Sequence, residues 1–207
     1  MRKSHLAASV LLWGVAALSM GPASAAPSVE WPCVQPRVPS LSVAAFWSGP
    51  PVDDATAAAW RDKPEIAAVV TSVVSRRTPV EEAEKQIATF AGSHKGDKDS
   101  MTLVFAGAFS ELNNLRTQIV HGIERFAKGQ RALSEDLNKS RDELASLAKL
   151  AEKTDQQRTR ISDLQTKIQW DTRIHNERQN TLRYVCEVPV ILEQRVFAIA
   201  RAVQNEM

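Results

Sequence analysis

Cys33 and Cys186 are the only two cysteines in this chain of 207 residues. A catalytic dithiol is normally short-range, as in C-x-x-C, whereas these two stand 153 positions apart. An even, widely spaced pair reads as one structural disulfide, Cys33 to Cys186, made in an oxidising compartment. Histidine offers less. Beyond the N-terminal segment only His94, His121 and His175 remain, with no H-x-x-x-H, H-E-x-x-H or C-x-x-C-H spacing among them. They read as surface or partly buried histidines. The acid pairs Asp53-Asp54, Glu81-Glu82, Glu135-Asp136 and Asp142-Glu143 fall where helix caps or solvated faces place them. No G-x-S-x-G, phosphate loop or G-x-G-x-x-G occurs among only eight glycines. Trp31, Trp47, Trp60 and Trp170 could line a pocket, but core is the commoner fate of aromatic residues beside short helices. The sequence therefore assigns no catalytic, cofactor-binding or metal-ligating residue, and the chain reads as a non-enzyme without a cofactor.

The N-terminus carries an address. Arg2 and Lys3 precede an apolar run from Leu6 to Leu18, and Ala23-Ser24-Ala25 supplies the small residues of a cleavage site. The reading is a cleavable signal over residues 1–25 and a mature chain from Ala26. An apolar run of about a dozen residues is shorter than the ~20 a membrane-spanning helix needs, so no stable membrane anchor is expected. Without Arg2 and Lys3, the 26 basic residues become 24 against 24 acidic ones. The basic bias lies in the part removed, which argues against nucleic acid as a partner.

Elements follow from punctuation and period. Between Ala26 and Pro51 stand prolines 27, 32, 36, 39, 50 and 51, which forbid a long helix. Trp31, Cys33, Val38, Leu41, Phe46 and Trp47 make the segment too apolar to stay solvated, so residues 26–52 are expected to form an extended strap across helices. Short helices are predicted over 53–92. Asp53 or Asp54 caps the first, Asp62 with Pro64 starts the second, and Thr78, Pro79 and Glu81 start the third, which Gly92 ends. Ile66, Val69, Val70, Val73 and Val74 hold helical spacing despite their β-branching.

From about residue 99 the pattern is long. Phe105, Phe109, Leu112, Ile119, Ile123, Phe126, Leu133, Leu137, Leu144 and Leu147 alternate steps of four and three, with Arg116, Gln130 and Ser140 in the same seam. Arg116 and Gln130 are expected at a partly wet edge of it. Thr154 with Gln157 forms a capping box for a second long helix, although a single rod, or a break at Lys128-Gly129, fits as well. That second helix carries Ile161, Leu164, Ile168, Ile174, Leu182 and Val185; Pro189 kinks or ends it, and a terminal helix follows over about 189–205. Glu124 with Lys128 and Asp163 with Lys167 read as i, i+4 pairs on solvated faces.

The expected architecture is all-α: an elongated, coiled-coil-like antiparallel helical hairpin over about 99–188, a base of short helices, and the Pro-rich strap. Helices of about 50 and 33 residues would measure roughly 75 and 50 Å, too long for a globule. Such a form implies a periplasmic structural or interaction protein that engages a protein partner in the cell envelope, or a second copy as a homo-oligomer, through its helical surface. In outline, long helices on a small base are similar to the Skp family of periplasmic chaperones, without a shared motif. That resemblance implies a holdase as the alternative, and a small-ligand binder is the third reading.

Overall fold

The computed structural model describes residues 31–95 and 97–207. The signal segment 1–25 and the first five strap residues, 26–30, lie outside the described residues. Among those described there are five α-helices and no strand: α1 (Asp54–Ala59), α2 (Pro64–Val74), α3 (Val80–Ser93), α4 (Lys98–Ala148) and α5 (Asp155–Asn205). The fold is all-α, and its dominant contact is α4 against α5 as an antiparallel hairpin.

The two long helices have 51 residues each, about 75 Å at 1.5 Å per residue. The turn between them is the one the Thr154 capping box predicts. Thr154 Oγ1 accepts from the Gln157 amide at 3.3 Å, and Gln157 Oε1 accepts from the Thr154 amide at 2.9 Å. No break occurs at Gly129. Nor does Pro189 end α5: it is buried inside the helix, and no separate terminal helix begins there. A proline forfeits one backbone bond, but Cys186 before it and Leu192 and Val196 after it are held in the interior, so packing outweighs that loss.

The base forms where α1, α2 and α3 cover the first third of α4 and the last third of α5. In α2 the helical period prevails over valine's strand preference, because Ile66, Val70 and Val73 share one face and are fully buried. Gly107 on α4 lets the Trp60 indole lie against the helix: a Cβ there would stand 2.8 Å from two ring atoms and 2.9 Å from Val70.

Several start signals act differently from expectation. Asp53 caps α1, accepting from the Thr56 amide at 2.8 Å. Asp62, however, lies in a 3-10 turn, and Lys63 takes the cap position of α2 because the residue before Pro64 is pushed into extended backbone. Thr78 does not cap α3; Pro79 occupies that position. The Thr78 carbonyl is instead taken by Arg195 of α5, whose guanidinium also donates to the Val73 carbonyl at 2.9 Å. Buried Arg195 thus closes the C-terminal end of α2, where the helix dipole favours a cation. Its burial holds its pKa below the usual arginine value. Helix α3 runs one residue past Gly92, and α4 starts earlier than predicted, capped by Asp97 through the Ser100 amide at 2.9 Å.

Candidate interaction surface

The strap runs antiparallel to α4, and several of its polar groups find partners there in turn. Arg37 pairs with Glu124, the Pro39 carbonyl accepts from Thr117 Oγ1 at 3.1 Å, and the Leu41 amide donates to Asn113 Oδ1 at 2.8 Å. Farther along, Trp47 stacks on Phe105 with ring centroids 4.1 Å apart. The extended part of the strap takes backbone partners from Thr117 and Asn113, whereas Val43–Ala45, expected to be extended, form a 3-10 turn with their own backbone bonds. Cys33 and Cys186 stand at bonding distance, with Cα atoms 5.6 Å apart, within a small apolar cluster of Trp31, Val120 and Ile123. The predicted pair is therefore brought together, and it ties the strap to the middle of α5.

Two seam residues correct the sequence reading. Arg116 is 3% exposed and Gln130 6%, so neither sits at a wet edge. Arg116 donates from Nη1 to the Val38 carbonyl at 2.5 Å and from Nε to Glu193 Oε1 at 2.8 Å. Gln130 donates to the His175 carbonyl at 3.1 Å, while its own Oε1 is buried without a hydrogen-bond partner. The strap covers Arg116, a burial that helix periodicity alone does not encode.

Beyond the base, ion pairs run both across the two helices of the hairpin and along α5. Arg160 forms a bidentate pair with Glu143, both contacts 2.7 Å. Lys167 bridges Asp136 on α4 and Asp171 on its own helix. Glu124 likewise turns to Arg37 and His121. These contacts replace the i, i+4 pairs expected of Asp163 with Lys167 and Glu124 with Lys128. The hydrogen bond from Arg37, then that from His121, holds the Glu124 carboxyl below its ordinary range; Arg160 does the same to Glu143 and Lys167 to Asp136. The three histidines stay apart: His94 caps α3, His121 is exposed on α4, and His175 lies beside the seam. Among the described residues no group of three His, Cys, Asp or Glu side chains could hold a metal ion. No helix among them is long and apolar enough to cross a membrane.

Most of the exposed large apolar side chains lie on α5. Trp31, Trp47 and Trp60 are buried, but Trp170 departs from the core reading at 59% exposed. Tyr184 at 69% and Ile191 at 47% follow it on the same face, fourteen and twenty-one residues on, which is two and three heptads. Ile174 is exposed too, off the seam to which the sequence assigned it, because Asp171 and His175 take the positions after Ile168. Beside this row a groove of about 560 Å³ opens between strap and helix, lined by Pro32, Val34, the disulfide, Leu182, Val190 and Ile191. Sequence reasoning missed the row, although the seven-residue spacing from Trp170 to Ile191 was there to find. It is masked because α5 carries a second, inward seam of the same period. Comparison of the chain with protein-family models, with curated proteins and with solved structures finds no match in any of the three.

Proposed function

We propose that this chain is an exported helical protein of the periplasm that works by docking a protein partner, another envelope protein or a second copy of itself, onto the outer face of its hairpin. The observation that carries the reading is the row Trp170, Tyr184 and Ile191, large apolar side chains left in solvent on a helix whose other face is packed. Apolar surface held in water is unfavourable and burying it under a partner is favourable, and Trp and Tyr are among the side chains most enriched where partners bind. The Cys33–Cys186 pair suits an oxidising compartment, and the leader pattern of residues 1–25 suits export.

The experiment is photo-crosslinking in cells, with a photoreactive residue placed at Trp170 or Tyr184 and, as control, at the exposed polar Arg158. Discrete adducts are expected from the first two positions and none from the third. Equal labelling at all three would refute the reading. Export is checked by the intact mass of the mature chain, expected to begin at Ala26. A species that keeps residues 1–25 in the membrane fraction would sink the periplasmic assignment. A holdase is the second reading, favoured by the same row because unfolded clients bind exposed apolar surface. It predicts a smear of adducts and suppressed client aggregation, where a dedicated partner predicts one band.

A further inference from the structure

The outer face of α5 is more regular than its three most exposed residues show. Trp170, Ile174, Glu177, Thr181, Tyr184, Val188 and Ile191 alternate steps of four and three. That is a second heptad seam on the same helix: six of its members are exposed on the outer face, and Val188 stands at its margin, packed partly against the base core. Its composition is self-complementary in one orientation. When two such helices run antiparallel about an axis at Gln179, residues equidistant from Gln179 face each other. Trp170 then meets Val188, Ile174 meets Tyr184, and Glu177 meets Thr181. Apolar layers thus close both ends around a polar middle.

The flanking charges agree. In the single chain Arg173 pairs with Glu177 on its own helix, Nε to Oε1 at 2.9 Å; in the antiparallel dimer it also comes opposite Glu187 of the other copy, and by symmetry that contact forms twice. On the other flank Arg178 approaches its own mate, with Glu177 of each copy one residue away. Ile191 lies against the alkyl stem of Lys167, whose amine is held by Asp136 and Asp171. Parallel pairing would instead set Glu177 on Glu177 and Arg173 opposite Arg178 of the other copy.

From this we infer that the occupant of the outer α5 seam is a second copy of the chain, docked antiparallel in a two-fold dimer. The inference rests on the docking reading above and names its partner. The seam from Trp170 to Val188 spans roughly 28 Å of helix and has few layers, so the dimer is weak and depends on concentration.

Sedimentation velocity of the full mature chain over a wide concentration range tests it. A shift from monomer to dimer is expected, and Tyr184→Glu should abolish it. Arg173→Glu and Glu187→Arg should each weaken the dimer by about tenfold, because each sets like charges opposite each other twice. The double variant restores the pairs with their signs exchanged and should return the wild-type affinity. These side chains lie on the exposed face, and a thermal melt of each variant confirms folding. A monomer at every concentration, a dimer indifferent to Tyr184→Glu, or folded double variants that fail to recover would each overturn the proposal. The in-cell adduct separates the two readings. An adduct of twice the chain mass at Tyr184 supports the dimer. An adduct to a different protein from a monomeric chain removes the dimer and keeps the docking reading, and no adduct removes both.

Discussion

Arg116 on α4 and Glu193 on α5 are joined across the hairpin, Nη2 to Oε1 at 2.5 Å, while Arg116 also holds the strap carbonyl of Val38. One guanidinium thus fastens three segments that are far apart in sequence. Arg116→Met keeps much of the apolar stem but drops every donor, leaving the Val38 carbonyl and Glu193 without that partner. A loss of about 2–3 kcal/mol is expected from urea unfolding, the scale of hydrogen bonds to a charged group. Glu193→Gln should cost less, because the amide oxygen still accepts. Equal and negligible effects would show that the clamp adds nothing to stability.

Two glycines of α4 should respond with opposite sign. At Gly129 a Cβ would meet nothing within 4 Å, so Gly129→Ala should stabilise by up to ~1 kcal/mol through helix propensity. At Gly107 the same methyl runs into the Trp60 ring and Val70, both buried, so Gly107→Ala should destabilise by about 1–3 kcal/mol. Melting temperatures of the pair decide it. A rise at both sites would mean Trp60 moves aside freely.

The Cys33–Cys186 bond closes a loop of 153 residues, for which chain-entropy models give roughly 5 kcal/mol at most. Reduction, or Cys33→Ala with Cys186→Ala, should lower the melting temperature and free the strap first near Trp31. Peptide mapping without reduction should recover the Cys33 and Cys186 peptides as one species. Two free thiols in protein purified without reductant would contradict it.

Glu124 carries a pH dependence whose sign follows from Arg37. Its carboxyl is held below the ordinary value of 4.5, chiefly by the Arg37 hydrogen bond. A depressed folded-state pKa contributes stability above the unfolded value and loses it as pH falls through the folded value. The melting temperature of wild type should therefore exceed that of Arg37→Ala slightly at neutral pH, and the gap should close in acid below the carboxylate range. A gap that widens in acid would assign the strap's hold to other groups. The effect is small because the pair is partly exposed to solvent.

Much of the architecture is written in local pattern. The step of four and three from Phe105 to Leu147, the Thr154 capping box and the prolines of the strap specify helix, turn and extended chain. Each acts through neighbours a few residues away, and α4, the hairpin turn and the strap follow them. Cys33 and Cys186 are legible as a pair for a different reason, since two cysteines admit one pairing. Tertiary structure decided the rest. Arg116 is buried because a strap from 78 positions away lies over it, and Pro189 stays helical because residues on both sides are packed. Pro79 takes the N-cap of α3 in place of Thr78, whose carbonyl is held by Arg195, again a distant residue. Which of two superposed heptad seams on α5 turns inward is likewise not a local property. Both have the right period, and α4 takes the one carrying Leu164 and Leu182, which leaves Trp170 and Tyr184 in solvent. Helix periodicity sets what a face can bury; only the assembled chain sets which face is buried.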